Sequence, residues 1–469
     1  MTEAPSVLAP PSGGFDLHVP LVIVGAGAGG LTAALAAHAD GVEALVLEAD
    51  AVPSGSTALS AGLIPAAGTR WQADAGIADD SETFAADIMR KAHDEPDEGL
   101  VASLTNEAAS TLEWLTEAHG LPFSVVDDFD YPGHSARRMH GLPTRAGSEL
   151  IDALRTAAED AGIAIACGRR VTRLHVEDSP DGAMVRGVGV RLPDGTWETI
   201  GCDRLVLASN GFGGSRELVA RHMPDIRKAI WFGHDGNRGE AVLWADALGA
   251  ATRHLGAYQG HGNVAHPHGI LVTWATITAG GFQVNAKGER FWDESQGYSE
   301  AARAVLSQPD GVAYAVHDAR IGAIARQFED YRRAEEAGAV REFDGVEALA
   351  EGFGLSPDAL AATFRAVDAA KRGAPDPQGR DWRASEPLAP PFRAVRVTGA
   401  LFHTQGGLDV TPSGRVKRPG GGVLPNLWAV GGAACGVSGS GDAGYLSGNG
   451  LLSAVVLGRL AGREAAQSS

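Results

Sequence analysis

Three glycines and one glutamate near the start of the chain have the spacing of a phosphate-binding turn. Gly25, Gly27 and Gly30 follow the apolar run LVIV and precede LTAALAAHA, and Glu48 ends the apolar run VEALVLE. Glycines let a backbone approach a pyrophosphate at a helix N-terminus, and an acid about 20 residues later can bind ribose hydroxyls. This strand, turn, helix and strand pattern predicts a dinucleotide site, in which FAD and NAD both stay open.

A second stretch of unusual composition surrounds Tyr445, one of six tyrosines in the chain. Residues 444–452 read GYLSGNGLL, so a single phenol stands among three glycines. Glycine permits close backbone approach to a ligand, and a phenol there can donate a hydrogen bond. Tyr445 is therefore a candidate for direct contact with a bound molecule.

Composition limits the classes of function that fit. At 469 residues the chain exceeds one typical hydrophobic core, which predicts two domains. A formal net charge of −19 argues against nucleic-acid or membrane partners. Three widely spaced cysteines, no signal-peptide pattern and no long apolar run predict a cytoplasmic protein without disulfides.

Five further segments resemble the fumarate reductase/succinate dehydrogenase flavoprotein family, in the family's order. They are SGSTALSAGLIPAAG (54–68), LVLASNGFGG (205–214), HTQGG (403–407), LPNLWAVGGAACG (424–436) and LSGNGLLSAVVLGRLAG (446–462). The resemblance implies FAD, bound noncovalently because residues 54–60 contain no histidine for flavin attachment. Beyond the glycine turn and Glu48, it implies these cofactor-binding residues: Ser56, Thr57, Ser60, Ala61, Gly62, Val171, Asn210, Gly211, Gly432, Asn449, Gly450, Leu451 and Leu452.

The resemblance also implies an α/β fold with a Rossmann-like FAD-binding domain that is discontinuous in sequence. Residues 1–257 and 397–469 are expected to form this domain. Residues 258–396 are expected to form an inserted α+β capping and catalytic domain, with a strand–turn pattern in GGFQVNAKGERFWDES and helical patterns after it. Gly432 stands where the family often has an acid, and Asp442 is a possible replacement.

The residues at the expected catalytic positions differ from those of the fumarate reducers. Tyrosines stand where that group has its two key arginines, at Tyr298 and Tyr445, while Trp274 and Ile277 replace its proton relay. Two tyrosines in these places resemble the 3-ketosteroid 1-dehydrogenases. That resemblance implies Tyr298 as the proton acceptor and Tyr445, with the N–H of Asn449 or Gly450, as the ketone-oxygen donor. Tyr131 is the candidate for a third, supporting tyrosine.

Several histidines and arginines leave alternatives open. His403 matches a substrate-binding histidine of the fumarate reducers, and His261 falls near a second one, so both could hold a polar substituent. His261, His266 and His268 are equally compatible with ordinary loop residues, and no metal is expected. Arg137 and Arg138 could reach a substrate carboxylate or form an exposed pair.

The main hypothesis is an FAD-dependent desaturase for a cyclic ketone, either a 3-ketosteroid or a small oxo-cyclohexane carboxylate. The β hydrogen would leave as hydride to flavin N5 and the α proton would pass to Tyr298. A reductase of the fumarate or urocanate kind is the alternative, and an electron-passing flavin subunit is a third. The chain has no haem-attachment or iron–sulfur motif, so a separate electron acceptor is expected.

Overall fold

The computed structural model describes residues 4–129, 131–382 and 385–468, and it divides into two compact units. The first unit comprises Met1–Leu218, Gly233–Tyr258 and His403–Ser469. The second comprises Val219–Phe232 and Gln259–Phe402. Residues 219–232, which the sequence assigned to the FAD-binding part, therefore group with the inserted segment. The assignment of each unit to a functional domain remains a prediction.

The first unit is built on a mixed sheet whose centre is parallel. Its strand order is Ser6–Leu8, Arg170–Ser179, Gly182–Arg191, Trp197–Leu207, Leu17–Val24, Ala44–Leu47 and Ala164–Ala166. In addition, Val423–Ala429 pairs with Trp197–Leu207, and Arg415–Lys417 pairs with Val423–Ala429. Leu17–Val24 lies parallel to both Ala44–Leu47 and Trp197–Leu207. Its residues Leu21 to Ile23 are fully buried, as expected of a strand covered on both faces. The α/β fold predicted from the sequence is confirmed.

The other elements of this unit surround the sheet or form small ladders. The helices are Ala28–Ala39, Gly55–Ala58, Arg70–Asp74, Ser81–Lys91, Glu98–His119, Gly147–Asp160, Arg216–His222, Glu240–Leu248, the 3₁₀ turn Gly431–Ala433 and Asn449–Gln467. The short strands are Ile64–Pro65, Ser124–Val125, Met139–Gly141, Thr252–Arg253 and Gly407–Leu408.

The first and last long helices of this unit cross at small residues. A Cβ on Gly458 would lie 2.5 Å from the carbonyl oxygen of Gly29, and one on Gly462 would lie 2.2 Å from that of Ala33. Only glycine allows the two backbones to approach so closely. The contact joins the glycine-turn helix near the N-terminus to the C-terminal helix, which explains how a domain discontinuous in sequence has a continuous core.

The second unit has its own sheet and its own apolar cores. The strand Phe392–Thr404 is central and pairs antiparallel with Val312–Asp318 along residues 392–398. The remaining strands are Ile230–Trp231, Tyr258–Ala265, Ile270–Leu271, Phe282–Val284 and Arg341–Phe343. The helices are Pro224–Ile226, Ala275–Thr278, Glu294–Gln296, Tyr298–Leu306, Pro309–Gly311, Ala319–Ala325, Glu329–Glu336, Val346–Phe353 and Pro357–Lys371. In the part of the chain that the structure describes, no helix is long and apolar enough to cross a membrane.

Candidate active site

The glycine turn has the geometry that a dinucleotide requires. Gly25 has φ +107°, and a Cβ there would lie 2.4 Å from the carbonyl oxygen of Ala208. A Cβ on Gly30 would lie 1.9 Å from the carbonyl oxygen of Gly25, so this glycine allows helix and strand to pack. Gly27 differs, because its Cβ would meet only the Thr57 hydroxyl, at 3.6 Å. Gly27 therefore faces open space, where a ligand can approach the backbone.

The carboxylate of Glu48 is held in position by two backbone donors. The N–H of Ala26 donates to Oε2 at 2.8 Å, and the N–H of Asp50 donates to Oε1 at 2.9 Å. Each oxygen keeps a lone pair for a further donor, such as a ribose hydroxyl. The predicted role of Glu48 is thus compatible with its contacts.

A cavity, which we call the dinucleotide cavity, opens beside this turn. Seven of the predicted cofactor residues line it: Gly25, Gly27, Glu48, Ser56, Thr57, Val171 and Asn210. The buried hydroxyl of Ser209, also on the lining, has no hydrogen-bond partner in the described part of the chain. A buried hydroxyl without a partner costs stability, so a ligand that pairs with it is favoured. These residues fit the dinucleotide part of FAD.

The strand end after Leu207 is tied to the segment around residue 404. The carboxamide of Asn210, which has φ +64°, donates to Ser56 Oγ at 2.8 Å, and Asn237 donates to the same oxygen at 2.8 Å. A Cβ on Gly211 would lie 1.9 Å from Thr404 Oγ1, and one on Gly432 would lie 2.2 Å from Asn210 Oδ1. An acid at position 432 would not fit this packing, which explains the departure from the family pattern.

Other predicted cofactor residues lie away from the lining of the dinucleotide cavity. Ser60 Oγ accepts from the N–H of Gly62 and donates to the carbonyl of Thr57, which shapes the turn between them. Ala61 lies in the same turn. Seven more predicted residues are also absent from the lining of the dinucleotide cavity: Gly30, Gly211, Gly432, Asn449, Gly450, Leu451 and Leu452. Their proposed contacts with FAD remain predictions.

In the first unit, His403 and Tyr445 are brought together. The Tyr445 ring meets the His403 ring edge-on at a centroid distance of 5.4 Å; Tyr445 is buried and His403 is half-buried. A Cβ on Gly450 would lie 3.2 Å from His403 Nε2. The N–H of Asn449 already donates to the carbonyl of Leu446, whereas no partner in the described chain accepts from the N–H of Gly450. Of the two predicted backbone donors, Gly450 is therefore the available one.

A chain of polar side chains, in which Gln405 and Ser438 were not predicted from the sequence, sets the tautomer of His403. Gln405 Nε2 donates to His403 Nδ1 at 2.6 Å, Ser438 Oγ donates to Gln405 Oε1 at 2.8 Å, and Asn449 Nδ2 donates to Ser438 Oγ at 3.2 Å. The Thr404 carbonyl lies further from Nδ1, at 3.4 Å. Burial lowers the pKa of His403 to about 4, so the ring is neutral near pH 7. The proton of that neutral ring then resides on Nε2.

Tyr131 lies in a loop that contacts the Tyr445 segment. Its ring packs on Phe129 at 4.9 Å, and burial raises the pKa of its phenol. The same loop reaches the glycine-rich stretch through His134, whose Nε2 lies 3.0 Å from the Ser447 carbonyl. A raised pKa favours a neutral phenol, which suits a hydrogen-bond donor better than a base.

In the second unit, His261 and Tyr298 stack on one another. Their ring centroids are 5.2 Å apart, with planes inclined by 21°, and Trp274 meets His261 edge-on at 5.8 Å. The N–H of Asn263 donates to His261 Nδ1 at 3.2 Å. Burial lowers the pKa of His261 to about 3. His261 is therefore also a neutral ring with its proton on Nε2.

The segment that carries Tyr298 is held by a buried carboxylate. Glu294 pairs with Arg290 at 2.6 Å and with Arg380 at 3.4 Å, and it accepts from the N–H of Gln283 at 3.1 Å. Tyr298 begins the helix Tyr298–Leu306 after Gly297, whose φ is +133°. Tyr298 follows the fully paired Glu294 by four residues, so the position of its Cα is closely determined.

The arginines considered as possible carboxylate ligands are already bonded. Arg138 is fully buried and pairs with Asp79 and Asp87, so the expectation of an exposed pair is wrong for it. Arg137 donates to the carbonyl of Asp127 at 2.6 Å. No group of three or more histidines, cysteines or acids in the described residues could hold a metal ion.

Comparison with known proteins identifies the family. A family model described as "FAD binding domain" matches residues 21–451. The chain is 30% identical to a probable fumarate reductase of Shewanella frigidimarina, over 95% of this chain and 74% of that protein. It is 25% identical to a urocanate reductase of Eggerthella lenta (97% and 75% covered) and 24% identical to a 4-oxocyclohexanecarboxylate 2-dehydrogenase of Sinomonas cyclohexanicum (94% and 92% covered).

Solved structures agree with this result. A flavocytochrome c3 fumarate reductase in its open conformation superposes with a TM-score of 0.82 at 28% identity, covering 97% of this chain and 79% of that one. A 3-ketosteroid-Δ4-(5α)-dehydrogenase from Rhodococcus jostii superposes with a TM-score of 0.79 at 23% identity, covering 98% and 99%. The second similarity establishes the fold alone.

Proposed function

The chain belongs to the FAD-binding oxidoreductases of the fumarate reductase family, and on that premise we propose that it reduces a carbon–carbon double bond conjugated to a neutral carbonyl. The relatives named above support the reductase alternative better than ketone desaturation, which was the main hypothesis from the sequence. Both activities act on the carbon–carbon bond next to a carbonyl, and they differ in direction.

One observation carries the choice of substrate: the donors grouped around His403 are uncharged. The Nε2–H of a neutral His403 and the phenol of Tyr445 are neutral donors, and the N–H of Gly450 is a third. Neutral donors suit a ketone oxygen, whereas a carboxylate is usually bound by a charged group such as a guanidinium. The buried Arg138 is already neutralised by two aspartates. We therefore favour an enone over a dicarboxylate.

The chain's own residues divide the chemistry into binding and proton transfer. When bound, the cofactor would supply a hydride in its reduced form, or accept one in its oxidised form, at the carbon β to the carbonyl. His403, Tyr445 and the N–H of Gly450 hold the carbonyl oxygen and stabilise the negative charge that develops there. Tyr298 exchanges the proton at the α carbon, and His261, stacked on its ring, fixes that ring in place.

The second candidate is the reverse reaction, desaturation of a cyclic ketone. It is supported by the two tyrosines at positions 298 and 445 and by similarity to the 4-oxocyclohexanecarboxylate dehydrogenase. A separate electron carrier is proposed for either direction. A cytoplasmic location, suggested by three cysteines that form no disulfide, remains a proposal.

Anaerobic flavin spectroscopy distinguishes these functions. Photoreduced enzyme would be mixed with 2-cyclohexenone, fumarate or urocanate, and oxidised enzyme with 3-ketosteroids or 4-oxocyclohexanecarboxylate. We expect fast reoxidation by the neutral enone and little by fumarate. Reoxidation by fumarate alone would refute the neutral-carbonyl proposal. Bleaching of oxidised flavin by a ketone, without reoxidation by any alkene, would establish the desaturase instead.

A further inference from the structure

A second cavity, of about 310 Å³, lies wholly within the second unit and shares no lining residue with the dinucleotide cavity. We call it the basic cavity. Its walls carry two arginines, two histidines and two aromatic rings, and its full lining is His266, His268, Tyr314, Gly338, Ala339, Arg341, Gly352, Phe353 and Arg396. Its size is at the lower end of small-molecule sites, which begin at roughly 300 Å³.

The cavity forms at a gap along the edge of one strand. On the strand Phe392–Thr404, Arg396 lies directly opposite Tyr314 of the neighbouring strand. On the other side, Arg341 pairs with Ala394, while the N–H of His266 donates to the carbonyl of Arg396. The gap thus lies between the turn that contains His266 and His268 and the strand Arg341–Phe343. Because Ala394 and Arg396 are two positions apart on one strand, their partners Arg341 and Tyr314 share one face of the sheet with Arg396.

Both guanidinium groups lack an acidic partner. Neither Arg341 nor Arg396 forms an ion pair with a carboxylate in the described residues, although the chain carries a net charge of −19. The Nε of Arg396 is buried and makes no hydrogen bond there. Arg393, on the same strand, is by contrast paired with Glu335 and Glu342. An unpaired buried donor on a cation is costly, so its position calls for an anion.

The orientation of Arg341 is also determined. Its Nη1 donates to the carbonyl of Gly352 at 2.7 Å, and its Cζ lies 4.6 Å from the centroid of the Phe353 ring. Phe353 in turn packs against Tyr314 at 4.9 Å. The same Cζ lies 5.1 Å from the centroid of the Phe343 ring, and a guanidinium held in this way presents its remaining N–H groups in a plane. The cavity thus combines an anion-binding edge with an aromatic wall.

The two histidines add hydrogen-bond donors to the lining of the cavity. Burial lowers the pKa of His266, and Arg396 and the neighbouring His268 act in the same direction. His268 is exposed at the rim, whereas His266 is half-buried. A neutral imidazole still offers one N–H donor, so both rings can contact an anion without being charged.

We propose that the basic cavity binds a small organic anion with a carboxylate or phosphate group and a flat apolar body. The anionic group pairs with Arg396 and Arg341, and the flat body lies against Tyr314 and Phe353. A chain with a formal net charge of −19 does not attract anions through its overall field, so the binding energy must come from these local groups. The site is independent of the function proposed above.

Calorimetric titration of the FAD-loaded protein with benzoate tests the proposal. We expect one benzoate per chain, and at least about tenfold weaker binding in Arg396→Gln and in Arg341→Gln, since hydrogen bonds to charged groups typically contribute this much. Arg365→Gln removes the same charge from an exposed position on the helix Pro357–Lys371 and should bind as the wild type does. His268→Gln, at the exposed rim, provides a second variant that does not threaten folding.

Three outcomes would overturn the proposal. One is the absence of benzoate binding to the wild type. Another is binding that shifts the visible flavin spectrum and survives both arginine substitutions, since benzoate would then occupy the active site. The third is arginine-dependent binding of inorganic phosphate as tight as that of benzoate, which would show that the aromatic wall contributes nothing. Melting temperature and flavin content of each variant confirm that it is folded.

Discussion

The amide nitrogen of Gln405 lies 2.6 Å from Nδ1 of His403. A carboxamide NH₂ can only donate, so Nδ1 accepts and the neutral ring keeps its proton on Nε2. The oxygen of the same carboxamide accepts from Ser438, which holds the amide in that orientation. Gln405 thus acts as a positioning residue that makes His403 a hydrogen-bond donor.

Exchange of Gln405 therefore alters activity in a way that a packing role would not. Gln405→Leu removes control of the tautomer and should reduce kcat/KM by about tenfold or more. Gln405→Glu places an acceptor at Nδ1, raises the pKa of His403 from about 4 and shifts the acid limb of the pH–kcat/KM profile upward. Identical pH profiles in both variants and the wild type would exclude this role.

Loss of the Tyr298 hydroxyl should impair proton transfer without loss of the cofactor. We expect Tyr298→Phe to keep its FAD and to transfer hydride about 10²–10⁴-fold more slowly, as is typical for removal of a positioned acid or base. Stopped-flow flavin absorbance measures the rate. Tyr331→Phe, which removes a phenol bonded to His317 instead, is the control. Unchanged hydride transfer in Tyr298→Phe would remove Tyr298 from the mechanism.

Two glycines of the first turn should respond differently to added side chains. Gly27→Val has room to fold, because its Cβ meets only Thr57, but the side chain fills the space of the pyrophosphate. We expect a folded, colourless protein. Gly30→Ala places its Cβ 1.9 Å from the carbonyl of Gly25, so it should lower the melting temperature itself. Circular dichroism and flavin content separate the two effects, and a yellow Gly27→Val protein would contradict the assignment.

The crossing of the two long helices makes Gly458 a site of steric sensitivity. Alanine usually stabilises a helix interior by about 0.5–1 kcal/mol relative to glycine. Here its Cβ would press on a backbone carbonyl at 2.5 Å, which cannot move as a side chain can. Gly458→Ala should therefore lower the free energy of unfolding by about 1–3 kcal/mol in urea titrations. Gly13→Ala, where a Cβ meets nothing within 4 Å, should be near neutral, and equal stability of both variants would refute the argument.

Buried histidines predict a loss of stability in mild acid. Burial lowers the pKa of His317 to about 3, below the value of 6.5 for an exposed ring. Between these values the unfolded chain binds a proton that the folded chain does not, so stability falls as the pH drops below about 6.5. One such residue contributes a slope of roughly 1.4 kcal/mol per pH unit.

The slope is tested with His317→Phe. This variant should be less stable at pH 7, because the bond between His317 and Tyr331 is lost, but its unfolding free energy should fall less steeply between pH 6.5 and pH 4. Urea titrations at several pH values measure the slope. A slope equal to that of the wild type would show that His317 is protonated in the folded protein.

The sequence by itself determined the α/β fold, the glycine turn, Glu48 and the need for FAD. Local spacing sets the glycine turn and Glu48, because a turn, its helix and the following strand are neighbours along the chain, whereas FAD was implied by the resemblance of five further segments to the flavoprotein family. The sequence also identified Tyr445, His403 and Tyr298 as candidates, because the motifs around them resemble those of the flavoprotein family and follow the same order. Their contacts with cofactor and substrate remain predictions.

Only the tertiary structure decided the contacts between distant segments. Gln405 and Ser438 are 33 positions apart, and Gly29 and Gly458 stand at opposite ends of the chain, so no periodicity predicts their contact. Arg138, for which an exposed pair was one expectation, is buried because Asp79 and Asp87, more than 50 positions away along the chain, neutralise it. The unpaired Arg396 in the basic cavity was equally invisible, because only packing shows which charges lack a partner.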